Sequence, residues 1–317
     1  MRGIPLPARI ATGHALKRTL LDQAARTAKE ADVVPTVALL RVDHDDPMLP
    51  VNFRLHQQLF ADTGFQVRPY ELAASTDWDT LRALIERLNK DDEVDVILVL
   101  IPLPDHLDIR SVLAAIDPAK EAEGLHLDHV MRLNPLSDQA PTRIPVVPTA
   151  VVHLLADIDY DPEGHEVVVL TDPELTETNP VAKMVARIAA FAALPPNASG
   201  CVVPVTHPRA RELARSADLL VVSLQRPAVV TADWIKPGAV VIDFNPVFTG
   251  FRRSRKDPDR QLPQLVGGVD VDSAGTVAGV VVPAPGGVGP VMLGALAQQI
   301  VAATIARRSE PVALSGV

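Results

Sequence analysis

Cysteine is almost absent: Cys201 is the single one in 317 residues. That excludes an intramolecular disulfide framework and any cysteine-rich zinc site. Aromatic residues amount to 3%, which leaves Ala, Val and Leu to fill the core. Positive charge is also scarce. The 30 Lys and Arg against 39 Asp and Glu give a formal net charge of -9. A general nucleic-acid binder needs a basic stripe to displace counterions, so the charge argues against that class and leaves only a local basic patch at residues 252–256. Long hydrophobic runs are missing as well. Residues 94–103 and 278–284 fall well short of the roughly 18 that a membrane helix needs, and each contains Asp or Pro. Residues 1–9 hold no apolar core followed by a cleavage signal. The expectation is a cytoplasmic protein that engages neither membrane nor nucleic acid.

What is present is a globular composition, with 47% hydrophobic and 22% charged residues. At about 100–200 residues per domain, the length suggests two domains. The 29 prolines are scattered, which points to firmly fixed loops rather than low complexity.

Short β-branched runs alternate with helical patterns. Strands are expected at 36–42, 65–69 and 96–101, and helices at 49–63 and 78–90. Gly64 fits a helix stop, and residues 75–77 are cap candidates. After a helix at 148–157, a second series begins. It has strands at 166–170, 201–205, 219–223 and 239–244, and helices at 181–194 and 209–216. Short strands at 266–269 and 277–282 precede a last helix over 290–307. This alternation implies parallel sheets with crossover helices, hence two α/β domains. The boundary falls in the Pro-rich stretch 134–148, residues 250–264 read as a polar surface loop insertion, and residues 309–317 as a frayed tail.

The strongest local motif is Pro285-Gly286-Gly287-Val288-Gly289-Pro290. Its glycines permit backbone conformations closed to other residues and close approach of a ligand, and a helix N-terminus follows. The alternative reading is a tight structural turn. A second feature is Leu98–Pro104, LVLIPLP, a buried strand running into a Pro-Leu-Pro corner. In open α/β sheets ligands bind at the carboxyl ends of strands.

These residues, with three more motifs in order, resemble the bifunctional methylenetetrahydrofolate dehydrogenase/cyclohydrolase family over about residues 35–305. Asp45-Asp46-Pro47 resembles its DDP segment, and Pro102-Leu103-Pro104 with His106 its PLP-x-H stretch. Lys120-Glu121-Ala122-Glu123-Gly124-Leu125-His126 resembles KDVDGFH, residues 234–243 resemble WIKPGAVVIDVG, and residues 285–290 match PGGVGP. The resemblance implies a catalytic domain over 1–147, a Rossmann-like NAD(P)-binding-type domain over 148–284, and a glycine loop and C-terminal helix over 285–317 returning to the first domain. It also implies a homodimer, with tetrahydrofolate held between the domains. The family oxidises 5,10-methylenetetrahydrofolate with NAD(P) and hydrolyses the methenyl product.

Several positions depart from the family. Counting from Asp45-Asp46-Pro47, the catalytic Tyr position holds Asn52, the Lys position His56 and a Ser position Leu49; the Gln before the Pro-Leu-Pro corner is Leu100. Asn52 and His56 share a helix stripe, and a neutral imidazole can act as general base; the plainer reading is a helix histidine hydrogen-bonded to Asn52. Glu123 takes the place of the Asp that receives the pterin's amino and ring N–H groups, set against the alternative of a solvated loop glutamate. Leu100, Ile101 and Leu103, with Pro285, Gly286 and Gly287, are the other expected substrate-binding residues. At the nucleotide end, Thr171, Asp172 and Pro173 replace Gly-Arg-Ser, and His207 stands where a His-Ser pair is common. Asp172, Glu174 and Glu177 bring three carboxylates toward a pyrophosphate site. At an effective dielectric of about 20, each like-charge contact at about 4 Å costs on the order of 4 kcal/mol before screening.

The expectation from these departures is a tetrahydrofolate-dependent enzyme that releases or transfers the methylene carbon without ordinary NAD(P) oxidation. His56 would shuttle the proton, Asn52 orient it and Glu123 anchor the pterin, with no metal. Two alternatives stand beside it: a conventional dehydrogenase/cyclohydrolase, and a non-catalytic folate-binding paralogue.

Overall fold

The computed structural model describes residues 7–133, 143–174, 197–254 and 261–309. The helix expected at 181–194, Glu177, and the tail beyond Ser309 lie outside the described residues, as does most of the Pro-rich stretch. The chain forms two compact units, one of residues 18–146 and 293–317, the other of residues 1–17 and 147–292. It opens on a two-residue strand, β1 (Arg9–Ile10), and helix α1 (His14–Glu30), whose buried Leu20, Ala24 and Ala28 recur every four residues.

In the unit that follows, β2 (Thr36–Val42), β3 (Gln66–Leu72) and β4 (Val96–Val99) form a three-stranded sheet in the order β3-β2-β4. Both pairings are parallel. Helix α2 (Leu49–Asp62) joins β2 to β3, and α3 (Trp78–Asn89) joins β3 to β4. Gly64 ends α2 with φ at +84°, and the Phe65 N–H reaches back to the Phe60 carbonyl. Of the three cap candidates, Asp77 caps α3, accepting from the Thr80 N–H at 2.8 Å. Alternate β2 side chains Ala38, Leu40 and Val42 pack with Leu81, Ile85 and Leu88 of α3 into one core. Short helices α4 (Ile109–Ala115) and α5 (Leu127–Arg132) complete this part.

After α6 (Val146–Asp157), the other unit builds a six-stranded sheet. Its strands are β5 (Glu166–Thr171), β6 (Ser199–Pro204), β7 (Leu219–Ser223), β8 (Val240–Asp243), β11 (Val280–Val282) and β1, in the order β1-β11-β8-β7-β5-β6. All five pairings are parallel. The strand order reverses at β5, and this creates a crevice at the carboxyl ends of β5 and β7. Short helices α7 (Ala210–Ala214) and α8 (Val271–Ala274) accompany this sheet.

Two expectations are corrected. Residues 250–264 are not a plain loop, because Val247–Arg253 (β9) and Gln261–Val266 (β10) pair antiparallel as a ribbon with an irregularity at Gln264/Leu265. The expected strand at 266–269 reduces to the end of β10 and a single bridge, Val230 to Val269. The last helix, α9 (Val288–Ser309), starts two residues earlier than expected. It is the one helix among the described residues long and apolar enough to cross a membrane, yet 56% of its apolar window is buried in the protein, as in a core helix.

Candidate active site

In the three-stranded unit the strand order reverses at β2, so the carboxyl ends of β2 and β4 are the natural ligand edge. Leu100 leaves β4 buried, its N–H bonded to the Leu40 carbonyl at 2.8 Å. The corner turns through a cis Ile101–Pro102 bond. Ile101 is half-buried, and Leu103 packs partly against the α3 core, which gives it a structural role too. His106, the last residue of the motif, is tied to the Thr76 carbonyl at 2.8 Å.

Helix α2 presents Asn52 and His56, both half-buried. A hydrogen bond joins them, as one of the two readings of His56 expects. His56 Nδ1 lies 2.8 Å from the Asn52 backbone carbonyl rather than its side chain. A carbonyl can only accept, so Nδ1 carries the proton and Nε2 keeps its lone pair. Burial lowers the His56 pKa below its ordinary value, against a weaker opposing effect of that hydrogen bond. The imidazole is therefore neutral at pH 7 and has its basic nitrogen free of the helix backbone. Phe60 meets the ring edge-on, with centroids 5.9 Å apart.

The segment with Glu123 is held by a residue treated as a bystander in the sequence. The Glu121 carboxylate is buried and accepts three backbone N–H groups: Glu123 at 2.5 Å, Leu125 at 2.9 Å and His126 at 3.1 Å. Gly124 turns the chain with φ at +74°, and a Cβ there would lie 2.8 Å from Pro145 backbone atoms. Glu123 itself is half-buried and not in bulk water. Burial, then the charge of Glu121, push its pKa up to about 8. The carboxyl expected to be a charged acceptor is thus mostly protonated at pH 7 in the free protein.

The glycine loop belongs to the other unit. Gly286 has φ at +106°, and its carbonyl accepts from the Gly13 N–H at 2.8 Å. A Cβ on Gly287 would lie 2.4 Å from Val282 Cγ1, and one on Gly13 2.2 Å from the Gly287 carbonyl oxygen. Tight packing inside the protein accounts for Gly287, so the turn reading holds there. Pro285 follows a cis Ala284–Pro285 bond.

At the crevice of the six-stranded sheet the electrostatic expectation is corrected. Thr171 ends β5, and Asp172 behind it is buried but not an isolated charge. Arg226, three residues past β7, donates from Nε to Asp172 Oδ2 at 2.9 Å and from Nη2 to Glu174 Oε1 at 3.0 Å. One guanidinium thus faces two of the three carboxylates, and Glu177 lies outside the described residues. Pro173 is half-buried. His207 is exposed and its Nδ1 accepts from the Arg209 N–H at 3.2 Å, so it is occupied in a turn. Asn245 reaches the Ser223 hydroxyl at 3.1 Å. Asp243, at the end of β8, is buried and receives the N–H groups of Gly268 and Val269. Burial nevertheless raises its pKa to about 7. Arg226 and Glu121 were the missed residues. Their only sequence signal is a charge near a strand end or a motif, and each becomes informative through its partner. Among the described residues no group of three or more His, Cys, Asp or Glu side chains could hold a metal ion.

Residues 11–123 match the catalytic domain of tetrahydrofolate dehydrogenase/cyclohydrolase, and residues 145–308 match its NAD(P)-binding domain. The chain is 37% identical to bifunctional protein FolD 2 of Paracoccus denitrificans over 83% of its own length and 80% of that protein. It is 34% identical to bifunctional protein FolD of Acidiphilium cryptum over 96% of this chain and all of the other. The crystal structure of the bifunctional methylenetetrahydrofolate dehydrogenase/cyclohydrolase FolD from Campylobacter jejuni superposes with a TM-score of 0.78. It is 25% identical, with 95% of this chain and 99% of that one covered.

Proposed function

The chain belongs to the tetrahydrofolate dehydrogenase/cyclohydrolase family, and on that footing we propose that it is a working member: it oxidises 5,10-methylenetetrahydrofolate with NAD(P) and hydrolyses the methenyl product. The comparisons favour this conventional reading over methylene release without oxidation, the reading the substituted residues had suggested. The observation that carries it is the His56 imidazole, neutral, with Nδ1–H on the Asn52 carbonyl and Nε2 available as base. A base of this kind does part of the work of the family's lysine, namely taking a proton from water as it adds to a methenyl carbon. It does not supply a fixed positive charge.

The nucleotide is part of the proposal. The family's NAD(P) would sit at the carboxyl ends of β5 and β7, where Arg226 offsets one of the two charges on Asp172 and Glu174. When bound, the nicotinamide supplies the hydride acceptor. Thr171, Asp172 and Pro173 would line its approach. Glu123 would receive the pterin's amino and ring N–H groups, giving up its own proton as it does so. Asn52 holds His56 in one tautomer through its backbone. Leu100, Ile101 and Leu103 would supply apolar surface. A cytoplasmic homodimer completes the proposal, with light scattering expected to return twice the chain mass.

The test is direct. The purified chain is mixed with 5,10-methylenetetrahydrofolate and NADP or NAD, and methenyl formation and decay are followed by absorbance. Turnover with at least one nucleotide, followed by decay to 10-formyltetrahydrofolate, is expected. Formaldehyde release with no methenyl signal from either nucleotide would overturn the proposal and restore the release reading.

A further inference from the structure

The segment that carries Glu123 holds a second carboxyl, Glu121, which is only 2% exposed. Its carboxylate accepts the N–H groups of Glu123, Leu125 and His126 at 2.5, 2.9 and 3.1 Å. One acidic side chain thus closes the turn from 121 to 126, and the first of its donors is the backbone of the residue read as the pterin anchor. The Glu123 carbonyl is engaged as well, accepting from the Val146 N–H at 2.9 Å. Both backbone groups of Glu123 are therefore fixed, and they set where its side chain starts.

A neutral acceptor could hold such a turn, and a carboxylate is the costlier choice because its charge is buried. Among the described residues no Lys or Arg makes an ion pair with Glu121. Arg143 attracts both Glu121 and Asp117, but its guanidinium donates to the Pro118 and Glu121 carbonyls, and to the Ala119 carbonyl at 2.8 Å. Asp117 accepts the Ala119 N–H at 2.9 Å. His129 on α5 brings Nε2 to 3.8 Å from Glu121 Oε2 and 3.2 Å from Arg143 Nη1. Burial, then Arg143, lower the His129 pKa, so this ring is neutral in alkaline solution. His126 Nδ1 accepts the Asp128 N–H at 3.1 Å, and the Lys120 ammonium is bound to the Leu88 and Asp91 carbonyls. What acts on Glu123 from this cluster is the charge of Glu121.

That charge does something a neutral acceptor would not. Burial, then Glu121, raise the Glu123 pKa to about 8. A protonated carboxyl keeps a donor of its own, whereas the pterin edge brings a ring N–H and an amino group and needs two acceptor oxygens. Folate therefore competes with a proton for Glu123, and Glu121 helps to set the pH at which the two are balanced.

We propose that Glu121 is a positioning residue for folate: its three backbone hydrogen bonds hold the turn that presents Glu123, and its buried charge makes the site take folate more tightly in alkaline than in neutral solution. This rests on the reading of Glu123 as the pterin anchor. Charge and geometry can be separated. Glu121→Gln carries no charge and keeps one acceptor oxygen, enough for the Leu125 and His126 N–H groups, but it turns an amide NH2 toward the Glu123 N–H. Glu121→Asp keeps the charge with one methylene less reach.

The experiment follows two midpoints in the full chain without nucleotide, from neutral to alkaline pH. One is the Glu123 carboxyl in the ligand-free protein, read by carboxyl-carbon NMR and assigned with Glu123→Gln. The other is the affinity for 5-formyltetrahydrofolate, read by fluorescence titration. In the wild type both midpoints are expected near 8. Glu121→Gln should lower both by about one pH unit. Glu121→Asp should leave both in place while weakening binding by about threefold to tenfold. Thermal melts establish that the variants are folded; if Glu121→Gln is not, Glu121→Asp and the wild type carry the test. A Glu123 midpoint that Glu121→Gln leaves unmoved, or binding as tight in Glu121→Asp as in the wild type, overturns the proposal while the folate reading stands. A wild type that binds no folate at any pH overturns that reading, and this proposal with it.

Discussion

At the residue scale the proposed chemistry turns on two titrating side chains, His56 and Glu123. Burial holds His56 below its ordinary value, so the basic form dominates above that lowered pKa. Hydrolysis of the methenyl substrate should therefore be flat at neutral pH and fall only on the acid side of about 6.5. His56→Ala is expected to lower that step by about a hundredfold or more, measured as methenyl decay. His56→Lys, which restores the family's residue type, should recover part of it. Glu123 behaves in the opposite sense, because its pKa is raised to about 8. If the pterin takes the charged form, binding releases a proton, and affinity should fall by about tenfold for each pH unit below 8. Fluorescence titration across pH checks this. Glu123→Gln should flatten the dependence and weaken binding throughout.

At the element scale the glycines separate by what surrounds them. Gly64 has φ at +84° and nothing within 4 Å of an added Cβ. Gly64→Ala should cost only the left-handed backbone, about 1–2 kcal/mol in denaturant unfolding. Gly124 combines φ at +74° with a 2.8 Å approach to Pro145. Gly124→Ala should cost about 1–3 kcal/mol more than the change at Gly64, and should impair folate binding by moving Glu123. The β9–β10 ribbon shows what an element conceals. Its residues are mostly exposed or half-buried, Phe251 being 53% exposed, so no apolar alternation marks it as strand. Helix α9 was legible in position because its glycine and proline start lies inside the motif.

At the scale of the whole molecule, the buried acids set how stability responds to pH. Asp243 and Glu123 titrate in the folded protein near 7 and 8, well above their ordinary values near 4. The folded state therefore holds these protons more tightly than the unfolded chain does. Stability should fall as pH rises from about 4 to about 8 and level off above that. Asp95 works in reverse. Its carboxylate is held low by Arg308 and Arg307 against the cost of burial, so its contribution is present above about pH 4 and lost as pH falls below it. The ligand-free chain should thus show its highest Tm in mildly acidic buffer, checked by melts at intervals across that range. Arg226→Ala should lower Tm, by leaving buried Asp172 unpaired, and raise the KM for the nucleotide with a smaller effect on the KM for folate.

Much of this protein was readable from local order. Apolar runs bounded by prolines and glycines mark parallel strands buried on both faces, and five motifs in sequence mark the family. Asn52 and His56 shared a helix stripe because four residues make about one turn. The pairings across the fold were not readable. Arg226 and Asp172 are 54 positions apart, and only the parallel register of β5 with β7 brings their loops together. β1 finds its partner Val280–Val281 at the far end of the chain. The sequence by itself settled the family and most of the strand and helix alternation from β2 onward, because those depend on neighbours along the chain; β1, α1 and the β9–β10 ribbon escaped it. Tertiary structure decided which carboxylates are paired, which stay protonated and which histidine nitrogen is free, because charge and burial depend on neighbours in space.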